Sequence, residues 1–268
     1  MTATVARFLD RKVAWVEGRR KENAEGVYKA LAMALPLPPS FHDAIRVPRA
    51  DRAVVAQLTI GDGMGDPARV GHLVRELEQA GVSALAVLGD FEPFDDVYRH
   101  VLAAAQVTSL PVLCREAVLD PLQITMARAH GAAAVTLEPS IHSDRDLRSL
   151  YRLASEMGLD VLLVVRSPAD LDAVQRLRRN AVDGATGRLV GVTGHGEGTA
   201  AAELHHFERM GVGLPDFAVA VAVSDIDSAS TASELESSGF ECFMLSVGLH
   251  ATSVPDGLRS VAGTPRFA

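Results

Sequence analysis

Cysteine is nearly absent from this chain of 268 residues, which holds two, Cys114 and Cys242. Both lie in apolar runs, Pro111-Val112-Leu113-Cys114 and Cys242-Phe243-Met244-Leu245. Two such thiols exclude a disulfide-stapled scaffold and any cysteine-based zinc spacing, and they suit a reducing compartment. Aromatic residues are also scarce, at 5%, so no stacking platform for nucleic-acid bases is evident. Basic residues are outnumbered by acidic ones, 26 to 34, and the net charge of −8 argues against broad nucleic-acid or anionic-membrane binding. The opening segment, Met1 to Trp15, has no uninterrupted apolar core, because Arg7, Asp10, Arg11 and Lys12 interrupt it. It therefore reads as neither signal peptide nor membrane span, and the cytoplasm is the default location. No low-complexity segment and no linker marks a second domain.

What the chain has in quantity is apolar sequence, 48% of its residues, arranged in short runs. Eight of them recur: 53–58, 84–88, 110–114, 132–137, 161–165, 189–192, 218–223 and 242–245. They are rich in Val and Leu and do not alternate with polar residues, which fits parallel strands buried on both faces. Helical patterns separate them. Val70, Leu73, Val74 and Leu77 recur at helical spacing, and Gly81 ends that helix. Ser167-Pro168-Ala169-Asp170 opens another, with Ser167 as cap and Pro168 in the first turn. Further helices are marked by Leu122, Met126 and Ala129, and by Leu147, Leu150 and Met157.

Eight strand–helix units in sequence predict an α/β chain folded as a (β/α)8 barrel, with a doubly wound sheet as the alternative. The expected organisation is one barrel domain, residues 48–268, preceded by a helical extension, 1–47. Proline at 36, 38 and 39 breaks that extension, which is free to pack over one mouth of the barrel. Glycine-rich stretches at 61–65 and 191–198 both follow strands, so both belong on the C-terminal face.

The segments resemble indole-3-glycerol phosphate synthase, the barrel decarboxylase of tryptophan biosynthesis, over nearly the whole chain. The third-strand block is the most specific part: Pro111-Val112-Leu113-Cys114-Arg115-Glu116 followed by Leu119-Asp120-Pro121-Leu122-Gln123-Ile124. Ser40-Phe41-His42-Asp43-Ala44-Ile45 and Gly239-Phe240-Glu241-Cys242-Phe243-Met244-Leu245 extend it. The resemblance implies decarboxylation and ring closure of a phosphorylated anthranilate–sugar adduct, using cationic acids, a carboxylate base and a phosphate cradle.

At the strand ends the chain departs from that pattern. The family's first-strand Glu and Lys align with Gln57 and Thr59, and its third-strand Lys with Arg115. A Glu and a His after the fifth strand align with Val164 and Arg166. An Asn and an Arg after the sixth align with Thr193 and His195. The seventh-strand Glu-Ser-Gly aligns with Val223-Ser224-Asp225, and the last Gly-Ser with Ser246-Val247. Asp225 brings negative charge to a phosphate cradle. Two unit charges about 4 Å apart repel by about 4 kcal/mol at an effective dielectric of about 20.

The expected site is therefore polar but rewritten. Arg115 and Arg166 are placed to clamp a carboxylate, with Gln57, Thr59, Glu138, Thr193, Ser224, Asp225 and Ser246 lining the ligand. His195 is the first choice of acid–base group, and Glu116 the alternative. Pairing of Arg115 with Glu116 as a plug in the mouth is the competing structural reading. His195, Glu197 and Asp225 have no close ligand spacing, so neither metal nor cofactor is expected. His205 and His206 read as surface or packing residues, and Phe91 and Phe94 as seeds for the second helix, with a cap over a pocket as the alternative. The expected partner is a small molecule at the barrel mouth, with no nucleic acid and no membrane. Oligomeric state is left open. Three functions remain in play: a lyase- or isomerase-type enzyme on a carboxylated small molecule, a non-catalytic binding or scaffold protein, and retained synthase activity.

Overall fold

The computed structural model describes residues 3–22, 24–59, 67–89, 92–179, 188–194, 200–224, 226, 228–248 and 254–265. Every apolar run becomes a strand: β1 Ala53–Thr59, β2 Ala84–Leu88, β3 Val112–Arg115, β4 Ala134–Leu137, β5 Asp160–Val165, β6 Leu189–Thr193, β7 Val219–Val223 and β8 Cys242–Gly248. They pair in sequence order, all parallel, and β8 closes on β1 with Gln57 opposite Ser246. The chain is thus a (β/α)8 barrel, and the doubly wound alternative is excluded by that closure. Three strands start later than their apolar runs, β7 by one residue and β3 and β4 by two. Pro111 has no N–H to give to a ladder. Gly131 forms a turn at φ +90°, and Ala132 donates back to Ala127.

The helices follow the strands: α4 Pro67–Gln79, α5 Asp96–Ala105, α6 Pro121–Ala129, α7 Asp144–Glu156, α8 Pro168–Arg179, α9 Ala200–Gly211, α10 Ala229–Ser237 and α11 Asp256–Ala262. Local chemistry sets their ends. Asp120 accepts from Leu122 N (2.9 Å) with Pro121 in the first turn, and Ser143 accepts from Asp146 N (3.2 Å). At α8 Asp170 answers Ser167, its carboxylate accepting from the backbone N of Arg166 (2.9 Å) and of Ser167 (3.0 Å). Gly81 lies beyond α4 at φ +84°, a conformation that favours glycine.

Strand alternation divides the apolar residues into two layers. Val54, Leu58, Val87, Cys114, Leu163, Val192 and Phe243 face the helices. Val55, Ala86, Leu113, Ala134, Val164, Val221 and Met244 fill the barrel. Phe41 and Ile45 join the inner layer, although they precede β1. They belong to α3 (Phe41–Arg46), which Ser40 caps. Ser40 Oγ and His42 N also donate to the carboxylate of Asp160, at the start of β5 (3.2 and 3.0 Å). The N-terminal end of the barrel is thereby plugged.

The rest of the extension climbs to the opposite end. α2 (Ala24–Ala34) lies along α6, where Arg128 donates to Leu35 O (3.1 Å), Pro36 O (2.6 Å) and Met157 O (3.2 Å). α1 (Ala3–Lys21) crosses the loops after β2 and β3. Arg11 meets Glu92 (3.0 Å), Trp15 Nε1 donates to Asp95 (3.3 Å), and Arg20 meets Asp120 (2.9 Å). One extension thus caps the base and edges the C-terminal face. Among the described residues no helix is long and apolar enough to cross a membrane.

Replacing Phe41 with Ala removes the base plug from a fully buried position. The expected loss is about 3–5 kcal/mol of unfolding free energy, read from the denaturant midpoint at unchanged slope.

Candidate functional site

Alternation that fills the barrel also decides what faces its mouth. On β3, Leu113 is inside and Cys114 outside, so Arg115 points inward and Glu116 outward. Arg115 donates through Nη1 to Gln57 Oε1, and Gln57 Nε2 donates to Ser246 Oγ (3.2 Å). A neutral amide both accepts and donates, so Gln57 links β3 to β8 across β1. Further round the mouth, after β4 and β5, Arg166 Nη2 lies 3.6 Å from Glu138 Oε2. Arg166 is half exposed, so that pair contributes little to stability and its guanidinium stays accessible. Thr59 Oγ1 donates to Val247 O (3.4 Å) and Thr193 Oγ1 to Gly194 O (3.4 Å). Ser224 O accepts from Ile226 N (3.0 Å). His195, Glu197, Asp225, Phe91 and the 61–65 loop lie outside the described residues.

Gln57, Arg115 and Ser246 therefore come together, as do Glu138 and Arg166. Glu116 does not join them. Its side chain is fully buried behind the barrel wall, 2.9 Å from an equally buried Lys12 Nζ of α1. Tyr98 of α5 donates to Oε1 (2.5 Å) and Gln123 of α6 to Oε2 (3.0 Å). The plug reading is corrected too, since Arg115 and Glu116 take different partners on opposite sides of the strand. Thr136 fixes the backbone of Glu116 on both sides of its Cα. Its Oγ1 accepts from Glu116 N (3.1 Å) and donates to Glu116 O (2.8 Å).

Around this pair the surroundings are apolar. Lys12 Nζ sits 5.4 Å from the ring centres of both Phe8 and Phe94. Trp15 stacks on Tyr98 (6.2 Å, 14°). Burial first, and then the Glu116 charge, push the Tyr98 phenol well above its ordinary range, so it stays a donor. Phe94 thus seals the seat of α1 and does not merely seed α5.

Sequence reasoning passed over Lys12, Tyr98 and Gln123. The available signal was a lysine inside the amphipathic opening segment, but its partner lies far along the chain. His206 is buried as expected of a packing residue, with Nε2 3.2 Å from Thr193 O, and His205 is exposed beside Glu208. His142, in the loop after β4, was also missed. Burial lowers its pKa despite a bond to the Val118 backbone, and its Nε2 is buried with no partner among the described residues. Cys242 is buried inside the barrel, and burial raises its thiol far above the range of a reactive cysteine. No group of three or more His, Cys, Asp or Glu among the described residues could hold a metal.

Residues 5–256 match the family model described as indole-3-glycerol phosphate synthase. The chain is 33% identical to the indole-3-glycerol phosphate synthase of Koribacter versatilis (strain Ellin345) over 192 residues, 71% of each chain. It is 27% identical to that of Chlorobium chlorochromatii (strain CaD3) over 256 residues, 92% of this chain and 95% of the relative. Among solved structures, one described as native KDPGal superposes with a TM-score of 0.54 at 15% identity, covering 79% of this chain and 92% of that one. That likeness concerns the fold alone.

Glu116→Gln leaves the Lys12 ammonium buried without a counter-charge. It is expected to cost about 3–5 kcal/mol in chemical denaturation, and Lys12→Met with Glu116→Leu together markedly less. His142 binds its proton less readily when folded than when unfolded. Its contribution to stability is present above the ordinary imidazole value of about 6.5 and is lost as pH falls below it. His142→Gln should flatten that acid-side loss in a pH series of unfolding midpoints.

Proposed function

The chain belongs to the indole-3-glycerol phosphate synthase family, and from that premise we propose that it is a diverged member acting on a carboxylated small molecule without a phosphate. Arg115 and Arg166, two strands apart on the rim of the mouth, bind the carboxylate, and Gln57, Thr59, Glu138, Thr193, Ser224, Asp225 and Ser246 line the ligand. The reaction is of lyase or isomerase type, with His195 as proton-transfer group in place of the family's carboxylates and lysines. The observation that carries this reading is the Ser246–Gln57–Arg115 relay, which stands where the resemblance calls for a carboxylate and a lysine. An amide moves no proton at neutral pH, and a guanidinium holds its proton too tightly to act as a general acid. What the relay supplies is an oriented cation.

A second reading, a binding protein without catalysis, is favoured by the commitment of Glu116 to Lys12. The two readings part when a bound carboxylate is followed by mass spectrometry. Any covalent change supports the enzyme, and an unchanged ligand after prolonged incubation supports the binder.

With the family's phosphorylated anthranilate–sugar substrate, no indole product above background is expected spectroscopically, and clear turnover would sink the proposal. Anthranilate alone should bind by calorimetry. Arg115→Met should weaken it by about 10–100-fold, the equivalent of one charged hydrogen bond of about 1.5–3 kcal/mol.

A further inference from the structure

Arg115 and Glu116 are consecutive and serve opposite sides of the barrel wall. The first holds Gln57 in the mouth, the second holds Lys12 beneath α1. The peptide linking them is held at both ends, its N–H donating to Thr136 Oγ1 (3.1 Å) and its carbonyl, Arg115 O, accepting from Gly89 N (2.8 Å), while Thr136 also donates to Glu116 O (2.8 Å). Displacing the backbone at either residue therefore displaces the backbone at the other. The outer contact is also the stiffer one, because Glu116 accepts from an ammonium, a phenol and an amide and has no water to fall back on. If α1 lifts, the carboxylate loses its cation in a pocket lined by Phe94, Cys114 and Tyr98. The segment that relaxes to rehydrate it is the end of β3.

We propose that Lys12 is a positioning residue for the barrel mouth: through Glu116 it fixes the end of β3 and so the guanidinium of Arg115, which makes the seating of α1 and ligand binding at the mouth one linked equilibrium. The ligand half rests on the reading of the mouth as a carboxylate site; the coupling of α1 to β3 does not. Linkage is reciprocal, so a ligand that engages Arg115 must also tighten α1. Among the described residues, the other ion pairs from α1 to the barrel lie on the rim and are partly exposed. They orient the helix but do not reach the strand.

Two measurements on the full chain decide it. In the first, without ligand, amide hydrogen exchange is followed over 3–21 and 112–118. Lys12→Met should raise exchange at least about 10-fold in both segments, and opening of 3–21 with 112–118 unchanged overturns the proposal. Should that variant not fold, Arg19→Ala loosens α1 at Asp95 without touching Glu116, and it must raise exchange in both segments too. In the second, anthranilate binding is measured for the wild type, Lys12→Met, Arg115→Met and the double variant. Lys12→Met should weaken binding about 10-fold alone and add nothing in the Arg115→Met background, whereas equal losses in both backgrounds overturn the proposal. Saturating anthranilate should slow exchange in α1 of the wild type. A wild type that binds no anthranilate refutes the carboxylate reading of the mouth and leaves the exchange result to judge the coupling.

Discussion

A carboxylate sealed from water must find a cation or give up its charge, and the placement of Glu116 turns that rule into architecture. With its side chain fully buried, it requires Lys12, and Lys12 requires that α1 lie across the C-terminal loops. Aromatic contacts follow from that seat. Phe8, Trp15 and Phe94 exclude water from the pair, and Tyr98 and Gln123 take up the acceptor sites that the ammonium leaves. Exchanging such a pair for apolar groups of similar volume is often neutral or stabilising, so bulk stability does not account for it. Its consequence is registration, a fixed relation between one helix and the end of one strand.

The same extension ends as the plug at the other end of the barrel. Between the two anchors, Arg128 receives the turn that follows α2 by donating to consecutive carbonyls. Burial lowers the pKa of that guanidinium without discharging it, since arginine starts so high. One continuous segment therefore touches the C-terminal rim, the outer helical layer and the base.

Most of the fold was legible because its signals are local. Two-sided burial gives runs of Val and Leu, and caps such as Asp120, Ser143 and Ser167 lie within a few residues of the helices they start. Alternation along β3 was legible as well: with Leu113 inside, Arg115 and Glu116 had to face opposite ways. Treating them as one polar pair at the mouth set that parity aside. The Lys12–Glu116 contact was beyond reach for a different reason. It joins the first helix to the third strand, and nothing in the spacing of either segment encodes a partner so far away. Strand ends were readable as positions but not as networks, because the link from Ser246 through Gln57 to Arg115 depends on β8 closing against β1.

Family membership and the proposed rewriting of the strand ends are compatible once the two layers of the barrel are considered separately. The inner aliphatic layer and the helical shell depend on volume and apolarity, and they tolerate exchange at the mouth. The mouth depends on charge. In the alignment the resemblance implies, an amide–guanidinium set stands for a carboxylate–lysine set, which keeps side chains of similar reach without the groups proposed to transfer protons. Gln57 can still bridge its neighbours, and Arg115 can still carry positive charge into the barrel. A site altered in this way loses proton transfer before it loses anion recognition. On the proposed reading the relay accounts for anion recognition, and catalysis needs a proton-transfer group beyond it, the role given to His195.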